Sequence, residues 1–171
     1  MRDTMTVAQA LRHARHDFLN ELQLVKMNMD LGRPEQVQAI IRSHAEAAVQ
    51  LERLAGLGVP QTEAWALTAK WRFPEIRFRL ECLATSAPVE ADGKFADALE
   101  QLSQSVRQRL DPVDQLECRI TLTNDSHKFV ASVQIERDWQ NVKMPESEDI
   151  QVVRACASNE TKFVFSAQME G

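Results

Sequence analysis

Between Gly93 and Gly171 the chain has no glycine, and the whole sequence has only five. Glycine-rich loops let the backbone approach a nucleotide closely because no Cβ intervenes. No GxGxG or DxGxG pattern can therefore exist in that long stretch. A basic excess is also missing. The 20 Lys and Arg residues stand against 25 Asp and Glu, for a formal net charge of -5, and the pI is near 5.4. A nucleic-acid binder would usually carry the opposite balance, so no nucleic-acid partner is expected. No run approaches the roughly 18 apolar residues of a membrane span. Cys82, Cys118 and Cys156 are far apart, odd in number and form no CxxC. They read as reduced thiols on buried strand or helix faces, with neither disulfide nor metal site implied. The start, Met-Arg-Asp-Thr-Met-Thr, leads into an amphipathic helix and not into the apolar core of a signal peptide. A cytoplasmic protein off the membrane is the expectation, one to which any signal arrives by protein contact.

What remains is an ordinary globular composition, 44% hydrophobic and 26% charged over 171 residues, enough for one moderate domain or two small ones. Residues 4 to 31 read as one long helix, with Thr4 or Thr6 able to cap its start. Leu11, Ala14, Phe18, Leu22, Val25 and Met29 recur at spacings of three and four, the mark of a single apolar face. Leu31-Gly32-Arg33-Pro34-Glu35 is a tight connection, with Gly suited to a helix C-cap and Pro to the first turn of the next helix. The second helix is expected from Pro34 to Ala55, with Val37, Ile40, Ile41, His44, Ala48, Leu51 and Ala55 as its stripe. His44, lying within that stripe, reads as a hydrogen-bonded interface histidine. Gly56-Leu57-Gly58-Val59-Pro60 then breaks the chain and sets the expected boundary, with residues 1–58 and 59–171 as the two domains.

Two helices of this length make a hairpin roughly 30–40 Å long at 1.5 Å per residue. Such a hairpin cannot cover both of its apolar stripes. It needs a third surface, and a second copy of itself is the simplest, giving a two-fold four-helix bundle. Packing against the C-terminal half would also satisfy it. In that half the period changes. Glu63 to Phe73 reads as a short helix. Ile76 to Cys82 alternates as a half-buried strand. Asp92 to Leu110 is helical, with Phe95, Leu99, Leu102 and Val106 on one face. Leu116 to Thr123 and Phe129 to Ile135 read as strands joined by a turn at Asn124-Asp125-Ser126-His127, where His127 is expected to be solvated. Trp139 to Pro145 reads as loop, Glu146 to Ala157 as a short helix, and Lys162 to Met169 as a last strand. The predicted class is α+β, a helical hairpin followed by a small two-layer α/β sandwich with antiparallel strands.

The chemistry concentrates at His16. With Phe18 at zero on a helical wheel of about 100° per residue, the apolar stripe falls near zero and His16 on the far side. Arg12, His13, Asn20 and Gln23 share that outer face. Arg12 and Asn20 are each one turn from His16, the spacing of helix neighbours. A neutral imidazole is a good nucleophile near pH 7 and can accept and return a phosphoryl group. Catalysis of such a transfer rests on positioning and charge stabilisation. Arg12 could stabilise phosphate oxygens, Asn20 could donate a hydrogen bond, and Asp17 could orient the imidazole through Nδ1–H or accept its proton. From spacing alone, a surface histidine on a helix is more often without a function than a reactive group.

The run Arg15-His16-Asp17-Phe18-Leu19-Asn20-Glu21-Leu22-Gln23-Leu24-Val25-Lys26 resembles the phosphoacceptor box of the sporulation initiation phosphotransferase B family. A similar box occurs in sensor histidine kinases of the citrate/fumarate type. The pattern is R-H-D/E-aromatic-hydrophobic-N-x-L-Q-hydrophobic-hydrophobic-K. The resemblance covers roughly residues 8 to 55, hairpin turn included, and after Pro60 extends only to the order of elements. It implies a dimeric four-helix bundle displaying a phosphorylated histidine, here His16, with Arg15, Asp17 and Asn20 adjoining. It implies a C-terminal half like a degenerate ATP-binding domain of histidine kinases. It also implies relay of a phosphoryl group from the aspartate of one response regulator to that of a second regulator controlling sporulation.

A kinase of this kind would need an asparagine-bearing helix for Mg²⁺ and glycine-rich segments. The helix in the corresponding place, Asp92 to Leu110, carries Glu100, Gln101, Gln104 and Gln108 but no asparagine. A relay without ATP is therefore the favoured expectation. It needs no cofactor in this chain, and any Mg²⁺ would sit in the partner regulator. The alternative is a non-catalytic dimeric adaptor or inhibitor that binds a response regulator or histidine kinase.

Overall fold

The computed structural model describes residues 5–111 and 113–169. They form two compact units, one ending at Val49 and the other starting at Gln50. The division falls within the second helix, and the Gly56–Pro60 break lies inside the second unit.

The first unit is built on α1 (Val7–Asp30) and the greater part of α2 (Pro34–Ala55). Thr6 sets where α1 begins. Its hydroxyl accepts the Gln9 N–H at 3.2 Å, and the Gln9 side chain accepts the Thr6 N–H at 2.8 Å, so two orphan donors are satisfied reciprocally. Thr4, the other capping candidate, lies outside the described residues. At the far end Gly32 adopts φ +65°, the left-handed conformation that ends a helix, and Pro34 opens α2. The side of α1 that meets α2 is mixed, with Ala10 and Val25 half-buried beside polar residues. Asp17, Glu21 and Asn28 are among its more buried positions, and Glu21 Oε1 lies 2.8 Å from His44 Nε2 on α2. The apolar stripe predicted from the spacing is largely uncovered, with Leu11, Phe18, Leu22 and Met29 all exposed.

The second unit contains α3 (Pro60–Arg72), β1 (Ile76–Cys82), a 3₁₀ turn (Val89–Ala91), α4 (Asp92–Arg107), β2 (Leu116–Asp125), β3 (Lys128–Glu136), β4 (Gln151–Ala157) and β5 (Glu160–Gln168). The sheet order is β1-β2-β3-β5-β4. Alternation along β2, β3 and β5 turns Cys118, Ile120, Leu122, Phe129, Ala131, Val133, Phe163 and Phe165 to one face. That face packs with α3 and α4 into one core that includes Trp65, Phe95, Leu99 and Leu102. Phe95 of α4 meets Phe129 of β3 edge to face at 5.0 Å. Among the described residues the architecture is α+β, with the sheet as one layer and α3 and α4 as the other.

Three expectations are corrected. Glu146 to Ala157 is not a helix. Residues 146–150 are irregular, and Gln151–Ala157 is β4, paired antiparallel with β5 from Gln151↔Ser166 to Ala157↔Glu160. Its Val152-Val153 pair favours a strand, but the run does not alternate apolar and polar residues. The sheet is also not wholly antiparallel, because β1 runs parallel to β2. The intervening α4 supplies the long crossover that a parallel pair requires. Cys82 and Cys118 are buried, but Cys156 is exposed on β4. All three thiols are free, and burial pushes that of Cys118 up to about 12.

Candidate functional site

His16 stands on the third turn of α1, in a helix free of Gly and Pro and fixed in phase by its cap. Its side chain is 74% exposed, as the wheel required. Asn20, one turn on, brings its Nδ2 to 3.1 Å from His16 Nδ1. Asp17 Oδ1 is 3.9 Å from the same nitrogen, beyond hydrogen-bond reach, and its side chain is only 33% exposed. The structure thus brings Asn20 into direct contact with the ring and leaves Asp17 as a nearby negative charge. Arg12 and Arg15 are exposed. Among the described residues no hydrogen bond or ion pair joins either to His16. From Val7 through His16, α1 carries Arg12 and Arg15 and no carboxylate, so positive charge lies on the N-terminal side of the imidazole, and Asp17 and Glu21 follow it. Further along, Lys26 pairs with Asp30 at 2.6 Å.

His44, expected as a hydrogen-bonded interface histidine, binds Glu21 across the hairpin. The partner was not identified from sequence. The available signal was geometric: Glu21 and His44 lie at comparable distances on either side of the Gly32 turn, and such residues meet in an antiparallel hairpin. His127 is exposed in its turn, as expected.

In the second unit, α4 places the Glu100 carboxylate in the interior. It accepts hydrogen bonds from Trp65 Nε1 at 3.0 Å, from Arg72 Nη1 at 2.5 Å and from Gln104 Nε2 at 2.9 Å. Asp92, at the start of the same helix, accepts the N–H groups of Gln61 at 2.7 Å and Thr62 at 2.8 Å. Among the described residues no group of three or more His, Cys, Asp or Glu side chains could hold a metal ion. No described helix is long and apolar enough to cross a membrane.

Residues 1–57 match the family model of the sensor kinase SpoOB-type alpha-helical domain. That match takes in the hairpin, a third of the chain. Sporulation initiation phosphotransferase B of Bacillus subtilis (strain 168) is 26% identical over 123 residues, which span 71% of this chain. The same match spans 64% of that relative, less than two thirds of its length. Among solved structures, the Erythrobacter litoralis EL346 blue-light activated histidine kinase aligns with a TM-score of 0.49 at 12% identity, over 99% of this chain and 62% of its own. The Acinetobacter baumannii histidine kinase AdeS aligns with a TM-score of 0.47 at 8% identity, over 91% of this chain and 98% of its own.

Proposed function

We propose that this chain is a histidine phosphotransferase of a phosphorelay. His16 accepts a phosphoryl group from the aspartate of one response regulator and passes it to the aspartate of a second, one that controls sporulation. The observation that carries this reading is the open imidazole of His16, in contact with Asn20, on a hairpin that matches the SpoOB-type domain. In the forward step an imidazole nitrogen forms a bond to phosphorus. The phosphorus–oxygen bond to the aspartyl carboxylate breaks, and its electron pair stays on the carboxylate. The second step reverses this on the other aspartate. Two easier transfers replace one direct transfer between carboxylates.

The cationic first half of α1, through Arg12 and Arg15, suits an approaching phosphorylated acidic site. The chain needs no cofactor for this, and Mg²⁺ belongs to the regulator's aspartate pocket. The uncovered stripe of Leu11, Phe18, Leu22 and Met29 favours a homodimer in which two hairpins form a four-helix bundle. The reading places the protein in the cytoplasm, where response regulators act.

A purified single-domain response regulator carrying labelled phosphate tests the assignment. The wild-type chain is expected to acquire acid-labile label, and His16→Ala is expected to acquire none. Persistent full labelling of His16→Ala overturns it. Binding of the regulator without transfer would instead support the adaptor reading. Label acquired from ATP alone would mark the chain as a kinase.

A further inference from the structure

We infer that Asn20, and not Asp17, is the positioning residue that sets the tautomer of His16, idle with the amide N–H toward the ring and reactive when the amide turns over. This rests on the phosphotransfer reading of the same site. A neutral imidazole has one protonated nitrogen and one lone-pair nitrogen, and only the latter can attack phosphorus. Which nitrogen is free depends on what its neighbour on the ring is bonded to. Here Nδ1 is the occupied nitrogen, with the Asn20 amide at 3.1 Å. The Asp17 carboxylate oxygen, at 3.9 Å, is too far to hold a proton on Nδ1.

An amide has two ends of opposite character. With Nδ2 toward the ring, Asn20 donates to Nδ1, the neutral ring carries its proton on Nε2, and the histidine is idle. Turned over about its last side-chain bond, the same amide presents Oδ1 and accepts from Nδ1–H. The two orientations place the same atoms in the same volume. In the second, the Nε2 lone pair is free. When Nε2 bonds to phosphorus, the carboxylate leaves with the electron pair of the broken bond. The ring keeps its Nδ1 proton and becomes cationic. Oδ1 then accepts a charge-assisted hydrogen bond, stronger than the one before transfer. One side chain thus favours both the nucleophile and the phosphorylated product.

The test uses the full-length chain and reads the tautomer without phosphate. Long-range ¹H–¹⁵N spectra of the imidazoles, recorded about two units above the ordinary imidazole pKa, report which nitrogen of His16 is protonated. His16→Gln assigns its resonances. Asn20→Leu, of similar size but without polar atoms, is expected to lower the Nδ1–H population. It is also expected to slow single-turnover transfer from the phosphorylated regulator about 10- to 100-fold. Asn20→Asp keeps an acceptor and removes the donor, so it should hold Nδ1–H and transfer faster than Asn20→Leu. Asp17→Asn should leave the tautomer ratio as in the wild type.

An unchanged spectrum in Asn20→Leu overturns the inference. So does a tautomer shift in Asp17→Asn that matches or exceeds that of Asn20→Leu. So does an altered tautomer with an unaltered transfer rate. If His16→Ala takes up label, the relay reading fails, but the tautomer measurement still decides the role of Asn20. Asn20 is on the exposed side of α1, so loss of folding is not expected to confuse the outcome.

Discussion

Arg72 on α3 and Glu100 on α4 form an ion pair inside the second unit, with their side chains only 13% and 8% exposed. Glu100 also receives Trp65 Nε1 and Gln104 Nε2, so one carboxylate ties two helices together. Charges taken out of water this way are costly unless each keeps its partner. Glu100→Ala leaves the Arg72 guanidinium and the indole N–H without their acceptor. The expected loss is about 3–5 kcal/mol, read as a lower urea midpoint. The double variant Arg72→Met/Glu100→Met removes both charges and should recover much of that loss. Equal destabilisation in the single and double variants would show that packing matters here more than charge.

Asp92 is a capping residue supplied from a distant part of the chain. α3 begins at Pro60, which has no N–H, and its next two donors, Gln61 and Thr62, both point to the Asp92 carboxylate. Asp92→Ala is expected to cost about 1–2 kcal/mol, since both donors are left unpaired. Asp92→Asn keeps one acceptor oxygen and should cost less. Urea unfolding of the two variants provides the comparison.

The Asp114–Arg137 pair predicts a pH dependence. Arg137 contacts both carboxylate oxygens, at 3.0 and 2.9 Å. Its hydrogen bonds hold the Asp114 carboxyl below the usual carboxylate range, helped by the backbone N–H of Asp111. Arg137 itself sits at φ +76°, an uncommon conformation for a residue with a side chain. Because the folded-state pKa of Asp114 lies below its unfolded value, the pair's stabilisation is complete above about pH 4. It is lost as pH falls through the folded value. Side-chain carbonyl NMR titration should show this depressed value in the wild type. In Arg137→Ala it should move up toward the ordinary aspartate value of about 3.9.

The local elements of the hairpin were readable in sequence. Apolar spacing, the Thr6 cap and the Gly32–Pro34 turn act within a few residues, so they place α1 and α2 closely. His16 was placed outward for the same reason. Features made by residues far apart were not readable. Asp92 caps a helix that starts 32 residues earlier, and Glu100 meets Trp65 across 35 positions. No local pattern announces either. β4 was misread because its run Gln-Val-Val-Arg-Ala-Cys-Ala does not alternate apolar and polar residues as β2 and β3 do. At the site, the sequence offered both Asn20 and Asp17 beside the ring. Helix geometry gave the contact to Asn20, because residues four apart face each other and adjacent ones do not.

The exposed stripe on α1 gives the most direct test of assembly. Phe18 is 59% exposed and Leu22 49%, although each would stabilise the fold by about 1.5–3 kcal/mol if fully buried. The side of α1 that meets α2 carries Glu21, Val25 and Asn28, so pairing within the hairpin leaves Phe18 and Leu22 largely open. If a second hairpin covers the stripe, Phe18→Glu or Leu22→Glu places a carboxylate in the bundle core. Each change is expected to weaken association at least about 10-fold to 100-fold. Sedimentation equilibrium should give the wild type a mass near twice 19.4 kDa, and the variants a concentration-dependent fall toward 19.4 kDa. Gln23→Glu adds the same charge on the outer face and should leave the mass unchanged. A wild-type monomer, or equal effects of Gln23→Glu and Phe18→Glu, would rule out the stripe as the dimer contact.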